Sequence, residues 1–193
     1  MSMNSNNGLG AAFIKSAGNG YNTIGLGGRD YIAPTGNNSG LPWQNSNQAG
    51  DNTNYWNIVV SALNADGERS SYSTVGSNVF LTALGGEYGG RSPAHVTTDL
   101  TGCDMGNNSQ FRGVPHRNHL LHGSTKLDPN CDYRSTMNGT SAAAPNASGA
   151  FALIMSAYPN LTQRDIRHLL ATTATQVDEN YGDISLTYTT DKG

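Results

Sequence analysis

Asn138-Gly139-Thr140-Ser141-Ala142-Ala143-Ala144-Pro145-Asn146-Ala147-Ser148-Gly149 is the stretch on which the reading of this chain turns. A nucleophilic serine needs its hydroxyl held in the open, where backbone N–H groups can stabilise a developing oxyanion. A helix N-terminus supplies both, because its first N–H groups are unpaired and the positive end of its dipole faces outward. Gly139 permits a sharp turn into the helix, and the small residues at 142–144 and 147–149 let that helix pack closely beneath the site. Pro145 is expected near the first turn, where a missing N–H costs little. Taken alone, an Asn-Gly-Thr-Ser opening is also an ordinary helix cap. It is not the GxSxG elbow, since position 143 is Ala.

Downstream, Ser141 to Tyr158 is Ala-rich and contains Leu153, Ile154 and Met155, which predicts a buried helix closed by Pro159. Thr162 followed by Asp165 predicts an N-cap close to a capping box, with Ile166, Leu169 and Leu170 as the apolar face of a second helix. Upstream, residues 11–17 form a short apolar run stopped by Gly18-Asn19-Gly20, and 58–63 and 79–84 are further short, β-branched runs. Residues 94–98 are a candidate fourth strand. Runs that are apolar without alternation fit a parallel sheet covered on both faces. Residues 21–51 and 101–137 are polar and aperiodic and are expected to be irregular.

The net charge of −3 and 13% charged residues give no electrostatic footprint for nucleic acid or an anionic membrane. No apolar run approaches the ~20 residues needed to span a bilayer. The polar start, Met1 to Asn7, is neither a signal nor a transit peptide. Cys103 and Cys131 lack zinc spacing and CxxC spacing, leaving two free thiols or a disulfide. His116, His119 and His122 lie within seven residues of one another, but no Cys or carboxylate is placed to complete a metal site. A solvated polar loop is the plainer reading.

The block Gly139-Thr140-Ser141-Ala142-Ala143-Ala144-Pro145 with Ser148-Gly149 resembles the serine motif of the subtilisin-like serine proteases. Ser16-Ala17-Gly18-Asn19-Gly20 is similar to the family's oxyanion segment. Tyr72-Ser73-Thr74-Val75-Gly76 and Ile58 to Ala62 resemble its strands. Val96-Thr97-Thr98-Asp99-Leu100, Cys103 and Asn160 to Leu170 are most similar to the kexin and proprotein-convertase branch. The matches run from about residue 9 to residue 178, broken by two insertions.

This resemblance implies a doubly wound, mostly parallel α/β sheet of the subtilisin type, of which only the second half is present. Residues 1–193 are then the C-terminal part of a peptidase catalytic domain, cut at both ends. It implies a polypeptide substrate, Ser141 as nucleophile and Asn19 as oxyanion donor. It also implies a secreted parent protein, whose oxidising surroundings favour a Cys103–Cys131 disulfide. Asp51 falls near an acid that gives kexins their preference for basic residues, with a plain turn Asp as the other reading. A calcium ion is implied for the complete enzyme, although Thr74 stands where the branch has Glu.

The family's Asp and His motifs precede its oxyanion Asn, and the eighteen residues before Asn19 leave no room for them. His122-Gly123-Ser124-Thr125 resembles the His motif only superficially. The chain is therefore expected to need the N-terminal half of the catalytic domain as its partner and to be inactive alone. The other reading is a non-catalytic remnant serving as a binding or structural module.

Overall fold

The computed structural model describes residues 5–21, 44–90, 92–107 and 127–177. The strand β2, Asn57–Leu63, is central because Ile58, Val59, Val60, Ser61 and Ala62 are all buried, so both of its faces are covered. It pairs in parallel with β1, Phe13–Ser16, on one side and β3, Val79–Leu84, on the other. Ile14 lies opposite Ile58, Val60 lies opposite Leu81, and the register shifts once between Val59 and Val60. The continuous apolar runs thus mark a parallel sheet, as expected of strands covered on both faces.

The helix α1, Thr140–Ala157, crosses this sheet. Ala143, Ala147 and Phe151 recur every four residues and point to one core with Ile58, Val60, Ala62 and Tyr72. Ile166 of the second helix, α2, Gln163–Thr173, completes that core. Two of these three fully buried core residues are alanines, which lets the helix lie close to the strands. Thr140 and Ala142 are buried as well, and Ala144, Ile154 and Met155 pack against the core from its margin, whereas Leu153 is 74% exposed. The sequence suggested a buried helix, whereas one stripe of it is buried among the described residues. Pro145 is the sixth residue of α1 rather than part of its first turn. Lacking an N–H, it leaves the Ser141 carbonyl without its i+4 donor.

Thr162 caps α2 as its spacing predicts. Its Oγ1 accepts from Asp165 N at 3.2 Å, and Asp165 Oδ2 accepts from Thr162 N at 2.9 Å. These bonds, the Thr162 hydroxyl first, hold the Asp165 carboxyl below its usual range.

Residues 95–98 do form a strand, β4, His95–Thr98, but it pairs antiparallel with β5, Tyr133–Met137, in a separate ribbon. β5 lies inside the segment expected to be irregular. A disulfide joins Cys103 and Cys131 at the foot of the ribbon. Beside it, the buried Asp128 carboxylate accepts from the N–H groups of Asp132 and Tyr133, at 2.8 and 3.0 Å. The part of the 21–51 loop that is described, 44–51, holds the turn Ser46–Gln48 and the start of the turn Gly50–Thr53. His116, His119 and His122 lie outside the described residues. Among those that are described, no helix is long and apolar enough to cross a membrane.

Candidate active site

In a parallel sheet the ends of the strands form one edge, and the segments that follow β1 and β3 meet the start of α1 there. Gly139 takes φ 112° and ψ 162°, a conformation open essentially to glycine alone, and turns the chain from β5 into α1. Its N–H reaches both the Tyr72 hydroxyl, at 2.8 Å, and the Gly85 carbonyl just past β3, at 3.1 Å. Gly85 admits this approach because a Cβ there would lie 2.4 Å from the Cβ of Ala62 and 3.0 Å from the Gly139 carbonyl. Ser141 is thereby set at the second position of the helix, exposed. Among the described residues neither its hydroxyl nor its N–H has a hydrogen-bond partner.

Asn19, three residues past the end of β1, faces the same turn. Its Oδ1 accepts from Thr140 N at 2.8 Å and from Thr140 Oγ1 at 2.9 Å, which fixes the carboxamide and leaves Nδ2 as the free end. A Cβ placed on Gly139 would lie 3.2 Å from Asn19 Nδ2 and 3.5 Å from Ser141 N. The two donors therefore border one small space beside the serine. An oxyanion requires donors grouped in this way around one point.

Three residues that sequence reasoning did not single out for the site hold this geometry. Thr140 is buried, and besides its bonds to Asn19 its hydroxyl accepts from Gly18 N at 3.2 Å. Thr74 is buried, accepts from Gly20 N at 3.0 Å through Oγ1, and donates its own N–H to the Gly18 carbonyl at 3.0 Å. The Tyr72 hydroxyl lies 2.9 and 2.7 Å from the Gly85 and Gly86 carbonyls. Burial, more than any other cause, pushes its pKa up, so it keeps the proton it donates to them.

Asp51 is exposed at the start of its turn, and among the described residues its carboxylate has no partner. The next residue, Asn52, is buried, and its Nδ2 donates to the Ala17 carbonyl at 3.2 Å. The turn bearing Asp51 is thus tied to the strand end that leads to Asn19. His168 is exposed on α2 and His95 lies on β4, and no hydrogen bond joins either imidazole to Ser141. Among the described residues no three His, Cys, Asp or Glu side chains gather as a metal site. Thr74, at the position where the resembled branch has Glu, is uncharged, and its hydroxyl accepts from Gly20 N.

The subtilase family is the family whose sequence pattern matches, over residues 1–188. The chain is 56% identical over 184 residues to the Aeromonas extracellular serine protease of Aeromonas sobria, covering 95% of this chain and 29% of that protein. It is 29% identical over 160 residues to the kexin of Candida albicans, covering 83% of this chain and 14% of the kexin. The crystal structure of the serine protease of Aeromonas sobria aligns with a TM-score of 0.76 at 59% identity, covering 88% of this chain and 28% of that one. The chain thus spans under a third of the length of the relative it matches at 56% identity.

Proposed function

From the premise that the chain belongs to the subtilase family, we propose that it is the serine-bearing part of an extracellular serine endopeptidase. The observation that carries this is the pairing of an exposed Ser141 with two donors, its own N–H and Asn19 Nδ2, around one space. Ser141 Oγ attacks the carbonyl carbon of the scissile peptide bond. The carbonyl oxygen takes up the negative charge and is held by those two donors. The Ser141 proton passes to a histidine base supplied by a part of the protease outside the described residues. That histidine returns the proton to the departing amine, and water then releases the acyl group from Ser141.

Specificity of the kexin kind, with Asp51 facing a basic P1 side chain, belongs to the same proposal. It is supported by the Asn52 tie to Ala17. A second reading, a binding or structural module without catalysis, is favoured by one observation: among the described residues no imidazole bonds Ser141. Peptide hydrolysis by the longest protein containing this chain, with and without Ser141→Ala, separates the two. Activity abolished by the substitution supports the protease, and no activity in either form supports the module.

A further inference from the structure

Two Asn-Gly pairs flank the candidate site, Asn19-Gly20 and Asn138-Gly139. Asparagine followed by glycine is a thermolabile pair, because no side chain hinders ring closure. The glycine backbone nitrogen attacks the asparagine Cγ, the Cγ–Nδ2 bond breaks, and ammonia leaves with the amide proton. Water then opens the succinimide ring to aspartate or isoaspartate. At Asn19 either product, once ionised, would put a carboxylate that only accepts where the proposed oxyanion donor stands.

Burial does not shield Asn19, which is exposed. Thr74 restrains it instead. Thr74 N donates to the Gly18 carbonyl at 3.0 Å, and Thr74 Oγ1 accepts from Gly20 N at 3.0 Å. One buried residue thus grips the backbone on both sides of Asn19. Its own segment is fastened to the fold. The preceding Ser73 Oγ accepts from Ala62 N of β2 at 2.8 Å, and the following Val75 carbonyl accepts from Ser46 N at 2.8 Å. The two threonines of the site therefore act on different groups. Thr140 fixes the Asn19 carboxamide through Oδ1, and Thr74 fixes the backbone that carries it. The Gly20 nitrogen is also the one that would close the ring, and its bond to Oγ1 holds both its proton and its direction. Gly139 N is engaged by the Tyr72 hydroxyl and the Gly85 carbonyl, without Thr74.

We propose that Thr74 is the positioning residue of Asn19: its two bonds direct the carboxamide toward the oxyanion and keep the Gly20 nitrogen from closing a ring on it. The first part of this role rests on the proposed function and the second does not, so the two can fail separately. Peptide mapping of the Ser141→Ala form of the longest protein containing this chain, incubated at mildly alkaline pH, reads the second part. Thr74→Val, or Thr74→Ala should the larger residue not fold, should raise aspartate and isoaspartate at Asn19 several-fold and leave Asn138 at its original rate. Thr74→Ser, which keeps the hydroxyl, should return Asn19 to the wild-type rate. Acceleration at Asn19 and Asn138 together would mark a general loosening of the fold and overturn the proposal, as would no change at Asn19. Kinetics of the active protein read the first part. Thr74→Val should lower kcat about tenfold with KM little changed, the size expected for one hydrogen bond. Thr74→Ser should restore most of it. In the Asn19→Leu background the same Thr74→Val substitution should lower kcat less than about twofold, because it acts through Asn19. Equal losses in both backgrounds would overturn the positioning role. If no form hydrolyses peptide, the proposed function fails and the mapping alone decides for or against the grip on Asn19.

Discussion

A side chain on Gly139 would enter the space between Asn19 Nδ2 and Ser141 N, and its φ of 112° disfavours any side chain before chemistry begins. Gly139→Ala should therefore lose about 1–3 kcal/mol of stability to backbone strain. Its turnover should fall further than that loss explains, measured by urea unfolding beside kcat. Asn19→Leu removes the proposed oxyanion donor and should lower kcat about 10²–10³-fold with KM little changed, the range known for loss of the oxyanion Asn in subtilisin, a member of the same family. Asp51→Asn should lower kcat/KM for Arg or Lys at P1 by about tenfold or more and spare apolar P1 substrates, since bonds to charged groups are worth ~1.5–3 kcal/mol. A P1 profile dominated by Phe, Leu or Met would remove Asp51 from the site. That Ser141 and Asn19 lie close together was legible because each sits in a compact motif. Thr74 and Thr140 were not, because they act on Gly20, Gly18 and Asn19 across 54, 122 and 121 residues of chain, where no local spacing reports them.

At the scale of elements, the cap of α2 carries a pH signature. The Asp165 carboxyl is held below its ordinary value of 3.8, chiefly by the Thr162 hydroxyl. A carboxyl depressed on folding contributes stability above its unfolded pKa and loses it as pH falls through the folded one. The stability gap between the chain and Asp165→Asn should thus be full near neutrality and shrink below about pH 4, read by urea unfolding at several pH values. A gap that grows on acidification would contradict the capping geometry. The Cys103–Cys131 bridge, 28 residues apart, should contribute ~3–4 kcal/mol by loop entropy. Peptide mapping without reductant should recover the linked pair, and unfolding of the Cys103→Ala/Cys131→Ala form should show the loss. The strands β1 to β3 and both helices could be read from apolar runs and caps. β5 could not, because Tyr133-Arg134-Ser135-Thr136-Met137 is polar and is held by ladder bonds to β4 rather than by an apolar face. α1 was read as buried from its composition, yet its hydrophobic residues are not confined to the stripe that meets the sheet, and Leu153 faces outward.

At the scale of the whole molecule, the described residues contain the proposed nucleophile and oxyanion donor but no base bonded to Ser141. The 193-residue chain alone is therefore expected to hydrolyse no peptide above background. Hydrolysis by the isolated chain would require a base within it and would return attention to its histidines. The parallel sheet, the small-residue face of α1 and the close approach at Gly85 all converge on placing Ser141 beside Asn19. The most direct test is fluorophosphonate labelling of the longest active protein containing this chain, followed by peptide mapping. The account predicts a single adduct on Ser141 that disappears, with activity, in Ser141→Ala. An adduct on another serine, or activity that survives Ser141→Ala, would contradict it.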